Sequence, residues 1–230
     1  MDFSFTGKTV LVTGAGFGIG ATTALLYAEQ GAKVIVADTS EEEGHDTVSR
    51  IKSQNGEASF LRMGVGSLAA CSLFIKKAAG IYGRIDIACN NASRSGESPY
   101  GTDKNPEAFD HEADFPLDSL YCCMKYEIET MQKQDKGIIV NITPLRGALG
   151  MLAFSPYVNL KYGIIELMPH PVVDYIPGSI LIHAITPAYL NASLLENTKA
   201  AGEPSPAKLS PIDRLGKIEA IARLAIWLSK

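Results

Sequence analysis

Tyr157 and Lys161 carry complementary acid–base groups and stand four positions apart in a stretch of helical character. Side chains at positions i and i+4 share one face of a helix, so the two groups can cooperate. A free phenol has a pKa near ~10, and an adjacent ammonium stabilises the phenolate. Such a tyrosine can exchange a proton with an alcohol or carbonyl oxygen while a hydride moves to or from a nicotinamide. Because this spacing is common in ordinary helices, its chemical meaning depends on the surrounding fold.

A cofactor for this chemistry is indicated near the N-terminus, where an apolar run over residues 8–12 leads into a glycine-rich turn and a helix-like segment. The turn reads Thr13-Gly14-Ala15-Gly16-Phe17-Gly18-Ile19-Gly20. Glycine allows close approach of the backbone, and free N–H groups at a helix start can bind a pyrophosphate in the positive end of the helix dipole. The order of strand, glycine turn and helix therefore predicts a dinucleotide site.

Asp38 ends the second apolar run, 33–37. It follows the glycine turn by roughly the ~20 residues that separate a ribose-binding acid from such a turn. A carboxylate there accepts hydrogen bonds from the adenosine ribose hydroxyls and repels a 2′-phosphate, so the sequence favours NAD over NADP. The alternative is that Asp38 caps the following helix, beside Thr39, Ser40 and Glu41. The two roles are compatible.

The composition limits the classes of partner. The 230 residues are 46% hydrophobic, which suits one α/β domain over residues 1–230. A net charge of −4 gives nucleic acid binding little electrostatic support. The first residues do not follow the pattern of a signal peptide, and no run has the ~18 apolar residues of a membrane span, so we expect no membrane attachment and a cytoplasmic location.

The cysteines and histidines give no indication of a metal. Cys71, Cys89, Cys122 and Cys123 form no Cys-x-x-Cys pair, and no histidine stands at zinc-like spacing from them. Apolar neighbours make a free cysteine behave as a small hydrophobic residue. We therefore expect four reduced thiols in the core and no metal site.

Apolar runs of strand length alternate with segments of helical length along the chain. Strands that are apolar on both faces and separated by helices predict a parallel sheet covered on each side, the doubly wound Rossmann-type α/β fold. The predicted strands cover 9–12, 34–37, 59–62, 85–89, 138–141 and 180–185, and the helices 17–30, 41–54, 67–82, 106–132, 155–168 and 218–229. Loops 93–105 and 187–210 would emerge at the carboxyl ends of strands and form a substrate lid, although 93–105 could equally be an ordinary connector.

The combined pattern resembles the short-chain dehydrogenases/reductases, in their classical NAD-preferring branch. The matching motifs follow in order: Thr13-Gly14-x-x-x-Gly18-Ile19-Gly20, Asn90-Asn91-Ala92, Tyr157-x-x-x-Lys161 and Pro187. The resemblance covers nearly the whole chain and implies an NAD-dependent oxidoreductase that interconverts a small-molecule secondary alcohol and its ketone. Members of this family are commonly dimers or tetramers, so the resemblance also implies a homo-oligomer.

The resemblance implies roles for individual residues along the cofactor. The residues that would approach the pyrophosphate are Gly14, Phe17, Gly18, Ile19 and Gly20. Those implied to contact the rest of the cofactor are Asp38 at the adenosine ribose, Val65 at the adenine edge, Asn90 and Ala92 along the groove, and Pro187 to Leu190 at the nicotinamide. Tyr157 would be the proton donor or acceptor, with Lys161 as its modulator and as a ligand of the nicotinamide ribose.

Two prolines stand where the family carries polar side chains. Pro144 replaces the serine that hydrogen-bonds the reacting oxygen, and Pro116 replaces the asparagine that helps hold a proton-relay water. Proline has no side-chain donor and no N–H, and inside a helix it forces a kink. Losing one preorganised donor costs on the order of 10² to 10³ in rate. We therefore expect impaired turnover unless a neighbour such as Thr143 compensates.

Smaller departures follow the same trend. Ser93 replaces a glycine, Gly64 an acidic residue, and Ala192 a threonine that helps anchor the carboxamide. Prolines 169 and 171 predict that the preceding helix ends or bends near Met168. The chain ends at residue 230, where the family usually continues through one more strand, so an open sheet edge is expected. Because most departures fall on polar positions, a catalytically silent NAD-binding protein of the same fold is the alternative to an enzyme.

Overall fold

The computed structural model of the chain describes residues 4–63, 68–91, 120–142, 179–187 and 216–230. The predicted helix 155–168, the predicted loop 93–105 and the first part of the predicted helix 106–132 lie outside these ranges. The parts described contain the complete first crossover, which joins the first two strands through a helix.

The described strands form a six-stranded parallel sheet in the order β3-β2-β1-β4-β5-β6. The strands are β1 Thr9–Thr13, β2 Lys33–Asp38, β3 Glu57–Arg62, β4 Ile87–Asn90, β5 Lys136–Ile142 and β6 Ser179–Ile185. The helices are α1 Gly18–Glu29, α2 Glu41–Ser53, α3 Leu68–Tyr82, α4 over residues 120–132, and α5 Ile218–Leu228. The predicted doubly wound α/β fold is confirmed.

The sheet is covered on both faces, which is why its central strands are apolar throughout. Along β1, Val10 and Val12 pack in one core with α1, α2 and α5. Leu11, between them, points to the other face and packs in a second core with α3 and α4. Successive side chains of a strand alternate between faces, so a strand buried on both sides must be apolar at every position.

Most strand boundaries differ from the prediction by one or two residues, and two of these differences have a visible reason. Ile85 was expected to begin β4, but the strand begins at Ile87. The side chain of Gln134 accepts a hydrogen bond from the Ile85 N–H at 3.0 Å and donates one to its carbonyl oxygen at 2.8 Å. A glutamine amide thus takes the place of a strand partner. At the other end of the sheet, β3 begins at Glu57 because that residue pairs with Lys33.

The four cysteines are free and buried, as the sequence predicted. Cys71 lies on α3, Cys89 on β4, and Cys122 and Cys123 on α4. Burial raises the pKa of Cys89 to about 12, with the nearby Glu127 carboxyl acting in the same direction. At neutral pH this group is therefore a thiol that packs as a hydrophobic side chain.

Candidate functional site

The glycine turn between β1 and α1 has the backbone geometry that its sequence predicts. Gly14 and Gly18 have φ of +60° and +59°, in the left-handed region that glycine adopts without steric cost. α1 begins at Gly18 with Phe17 as its N-cap, and Phe17 makes no side-chain capping hydrogen bond. The first-turn N–H groups of a helix lack intrahelical partners. At α1 they are therefore suited to an anion, which the helix dipole also favours.

The turn lies directly against the start of α1, and this contact explains a third glycine. A Cβ added at Gly20 would overlap the carbonyl group of Gly14 and approach the Asn91 side-chain nitrogen to 2.8 Å. Only a residue without a side chain allows this approach. Gly20 therefore fixes the distance between the turn and the first turn of α1.

Asp38 connects the end of β2 to the same turn. Its Oδ2 accepts a hydrogen bond from the Gly16 N–H at 2.8 Å, and its Oδ1 accepts one from the Ser40 N–H at 3.0 Å. The Gly16 carbonyl oxygen accepts a further bond from the Thr47 hydroxyl at 3.0 Å. Asp38 is only 6% exposed. Two backbone N–H groups thus hold the Asp38 carboxylate beside the glycine turn, and the Thr47 hydroxyl binds the turn itself.

The alternative that Asp38 is the N-cap of the following helix is wrong. The N-cap of α2 is Ser40, whose hydroxyl accepts a hydrogen bond from the Glu43 N–H at 3.4 Å. Asp38 lies two residues earlier and supports the cap by accepting from the Ser40 N–H. Serine is preferred at this position because its short hydroxyl reaches the free N–H groups of the first turn.

Asn91, just after β4, supports the turn from the other side. Its N–H donates to the Thr13 hydroxyl at 3.1 Å, and its side-chain nitrogen donates to the Gly14 carbonyl oxygen at 3.1 Å. Asn91 was not among the predicted site residues. The signal was present in the Asn90-Asn91 pair, but the sequence alone does not show which of two adjacent amides faces the turn.

Asn90, the last residue of β4, turns its side chain into the protein. The amide nitrogen donates to Glu127 Oε2 at 3.0 Å and to Asn141 Oδ1 at 2.9 Å. The side chain is 5% exposed. That Asn90 lines the cofactor groove stays a prediction. Because its side-chain amide binds Glu127 and Asn141, the prediction concerns its backbone.

Glu127 is a residue that the sequence analysis missed. It lies on α4 with no exposed surface. Burial raises the pKa of Glu127 to about 7, and the hydrogen bond from Asn90 offsets only part of that effect. Glu127 stands four residues from both Cys123 and Met131, and this helical spacing, which puts an acid on the face of two apolar residues, was the available signal.

An open cavity of about 770 Å³ lies between the glycine turn, α2 and the start of α5. Among the described residues that line it, acidic side chains predominate, with four carboxylates and one guanidinium. The lining residues are Gly16, Phe17, Gly18, Ala21, Thr22, Ser40, Glu42, Glu43, Asp46, Arg50, Ile218 and Glu219. The negative charge of these side chains disfavours the binding of a further phosphate group between the turn and α2.

The described structure brings part of the predicted site together. Gly14, Phe17, Gly18, Ile19, Gly20, Asp38 and Asn90 lie around the carboxyl ends of β1, β2 and β4. Pro187 is buried two residues after the end of β6, at the same edge of the parallel sheet. Val65, Ala92, Tyr157, Lys161 and Leu190 fall outside the described residues, as do Thr143 and the two prolines at 116 and 144.

Two further observations concern metals and membranes. Within the described ranges, no three histidine, cysteine or carboxylate side chains come together as a metal site. In the same ranges, no helix has both the length and the hydropathy needed to cross a membrane.

Comparisons with known proteins identify similar chains. The family model described as short chain dehydrogenase matches residues 8–203. An uncharacterized oxidoreductase of Thermotoga maritima is 38% identical over 229 residues, covering 95% of this chain and 88% of the relative. The cyclohexanol dehydrogenase of Acinetobacter sp. strain SE19 is 30% identical, with 99% and 90% covered. The crystal structure of NAD⁺-bound xylitol dehydrogenase superposes with a TM-score of 0.90 at 25% identity, covering 99% of this chain and 94% of that one.

Proposed function

The chain belongs to the short-chain dehydrogenase family, and on that premise we propose that it is an NAD-dependent oxidoreductase that interconverts a secondary alcohol and its ketone. The observation that carries the choice of cofactor is the Asp38 carboxylate, held 2.8 Å from the Gly16 nitrogen beside the glycine turn. A carboxylate in this position suits the two hydroxyls of an adenosine ribose.

The acidic wall around the turn also supports NAD rather than NADP. Glu42, Glu43 and Asp46 face the same cavity as Gly16, and of the described residues that line it Arg50 alone carries a guanidinium. A 2′-phosphate near Asp38 would meet this excess of negative charge. An NADP-binding site usually offers an arginine without such competition.

The glycine turn is closely packed against its neighbours, and its amide groups suit the diphosphate of a dinucleotide. A Cβ at Gly16 would lie 2.9 Å from both Asp38 Oδ2 and the Glu43 Cβ, so the space beside the backbone has no room for a side chain. The N–H groups at the start of α1 would hold the pyrophosphate. When bound, NAD supplies the hydride acceptor for alcohol oxidation.

Tyr157 and Lys161 carry the acid–base chemistry in this proposal. The Lys161 ammonium stabilises the phenolate form of Tyr157, which takes the hydroxyl proton of the alcohol as the carbonyl forms. In the reverse direction the phenol returns that proton to the carbonyl oxygen. Of the predicted cofactor contacts, Val65 would bound the adenine, Ala92 the groove, and Leu190, with Pro187, the nicotinamide.

Cyclohexanol is the first substrate to test, because a relative covering nearly the whole chain is named for it. The experiment follows NADH formation by the purified protein with cyclohexanol and a panel of other secondary alcohols, with NADP in parallel. We expect NADH formation that is lost in Tyr157→Phe, and a preference for NAD of about tenfold or more. NAD turnover that is unchanged in Tyr157→Phe would contradict the proposed chemistry.

A second candidate function rests on Pro144, which removes the hydroxyl that the family places beside the reacting oxygen. In that case the protein binds NAD and does not turn over. Calorimetric binding of NAD without NADH formation would support it, and Pro144→Ser would then restore activity. An active parent protein would refute it, and Pro144→Ser would in that case raise kcat by at most about 10² to 10³, the value of one preorganised donor.

The proposed enzyme is one domain over residues 1–230 and a homo-oligomer, either a dimer or a tetramer. Both statements rest on the family resemblance and on chain length. Light scattering on the purified protein tests the second of them directly. A monomer at micromolar concentration would contradict it.

A further inference from the structure

Glu127 is a buried acid for which the proposed chemistry has no direct use. It is fully buried on α4, and its Oε2 accepts a hydrogen bond from the Asn90 amide at 3.0 Å. Among the residues that the structure describes, none forms a hydrogen bond with its Oε1. The titratable groups beside it are the thiols of Cys89 on β4 and Cys123 on α4, and burial raises the pKa of both.

An acid in this position costs stability. Burying a carboxyl group is unfavourable unless donors or cations compensate, and within the described part of the chain a single amide donates to Glu127. A leucine or methionine of similar size would fill the same space without that cost. Positions where a chain keeps an unfavourable polar group are expected to be functional ones. The functional candidate here is the Glu127–Asn90 contact, because Asn90 stands at the end of β4.

The contact joins three elements at the carboxyl edge of the sheet. Asn90 ends β4 and uses its amide nitrogen twice, toward Glu127 on α4 and toward Asn141 Oδ1 on β5 at 2.9 Å. Asn90 and Asn141 are also register partners in the sheet. The two strand ends and α4 are thereby fixed to one another just before the segments that continue toward Ala92 and Pro144.

The next residue extends this link to the glycine turn. Asn91 donates from its backbone to the Thr13 hydroxyl and from its side chain to the Gly14 carbonyl oxygen, both at 3.1 Å. One peptide unit therefore connects a buried acid on one side to the proposed pyrophosphate site on the other. A shift of Asn90 must move Asn91, and with it the carbonyl against which Gly20 packs.

We propose that Glu127 is a positioning residue of this dehydrogenase: through Asn90 it fixes the carboxyl ends of β4 and β5, and through Asn91 it fixes the glycine turn that receives NAD. The inference deepens the proposed function and rests on it for the activity measurement. Its own structural content is the coupling of Glu127 to Asn91 and Gly14.

The test compares Glu127→Met, which keeps the length of the side chain and removes the acceptor, with Glu127→Gln, which keeps an acceptor oxygen for Asn90. Met131→Ala is the matched control, because Met131 is fully buried on the same helix and packs against Gly137 instead. We expect Glu127→Met to raise both the Kd and the KM for NAD about tenfold, the equivalent of one hydrogen bond. Glu127→Gln should stay within about twofold of the parent.

A purely structural role predicts a different result. Glu127→Met and Met131→Ala would then change stability but leave the Kd and KM for NAD at the parent values, and the proposal would be overturned. Should Glu127→Met not fold, Glu127→Leu takes its place with the same expectation, and a failure of both variants to fold while Met131→Ala folds would assign Glu127 to stability and overturn it as well.

Amide hydrogen exchange separates this proposal from the proposed function. In Glu127→Met we expect faster exchange at Asn91 and at Ala15 and Gly16 in the turn, beyond any general change seen in Met131→Ala. This result supports the coupling even if the parent protein does not bind NAD, in which case the proposed function alone fails. Equal exchange in the two variants would overturn the coupling even if NAD is bound and turned over.

Discussion

The Asp38 carboxylate accepts a hydrogen bond of 2.8 Å from the backbone N–H of Gly16, so the end of β2 is tied directly to the turn that follows β1. This contact brings together the two parts of the proposed dinucleotide site, which are 22 residues apart in the chain. One charged side chain thus shapes the turn and, in the proposed function, selects the cofactor. Its charge and its shape can be tested separately.

Asp38→Asn keeps the size of the side chain and removes its charge. We expect the ratio of kcat/KM for NAD to that for NADP to fall about tenfold or more, because the repulsion of a 2′-phosphate is lost. Steady-state kinetics with both cofactors measure the ratio. Glu57→Gln, which neutralises an exposed acid at the start of β3, should leave it unchanged. An unaltered ratio in Asp38→Asn would show that Asp38 does not select the cofactor.

Gly20→Ala tests the close approach of α1 to the glycine turn. The added methyl group overlaps the Gly14 carbonyl, so we expect a loss of about 1–3 kcal/mol in the free energy of unfolding and at least a tenfold weaker affinity for NAD. Gly80→Ala is the control, since a Cβ there meets nothing within 4 Å on α3. That variant should gain about 0.5–1 kcal/mol. Urea unfolding measures the stability of both variants, and calorimetry measures their affinity for NAD.

The sequence was a good guide wherever one local pattern decides the structure. Short runs that are apolar at every position and rich in β-branched residues, such as 10–12 and 34–37, predicted strands buried on both faces. The glycine spacing predicted the turn for an equally local reason. Local reasoning could not assign the roles of Ser40 and Asp38. Both are suitable N-cap residues, and only the structure shows that Ser40 caps α2 while Asp38 accepts a hydrogen bond from the Gly16 N–H.

Contacts between distant segments were not predictable in the same way. The Gln134 amide that replaces a strand partner at Ile85 lies 49 residues away in the chain. Asn91 and Glu127 acquire their roles only when β4 lies between β1 and β5. Glu127 was visible as an acid on an apolar helix face, but its partner depends on the strand order, which no local pattern specifies.

Glu127 makes stability depend on pH. Its pKa is about 7 in the folded protein, against an ordinary value of 4.5, so between these values the folded state binds more protons than the unfolded chain. The free energy of unfolding therefore falls as pH rises from 4.5 to 7, by at most about 3 kcal/mol from this group. Glu127→Gln removes the effect, so its stability relative to the parent should rise over this range. A difference that is constant between pH 5 and pH 8 would contradict this account.

The pKa of Asp86 is shifted in the opposite direction, so its effect on stability has the opposite dependence on pH. Burial alone would raise its pKa, but the Thr9 N–H, the two-pronged contact with Arg84 and the nearby Lys8 outweigh burial and lower it. Its contribution is therefore complete above its ordinary value of 3.8 and is lost as pH falls through the lower folded value.

Asp86→Asn should accordingly cost about 2–4 kcal/mol at pH 7, because it leaves the Arg84 guanidinium without its anion at the edge of the core. The cost should shrink below pH 4, where the parent also loses the charge. Glu57→Gln breaks the exposed pair with Lys33 and should cost no more than about 1 kcal/mol. Equal losses in the two variants in urea unfolding at pH 7 would argue against a special role for Asp86.

A crystal structure of the protein in complex with NAD tests the central claim most directly. The account predicts the pyrophosphate against the first-turn N–H groups of α1 and the adenosine ribose hydroxyls within hydrogen-bond distance of Asp38. NAD bound away from the glycine turn, or bound there with its ribose away from the Asp38 carboxylate, would contradict it.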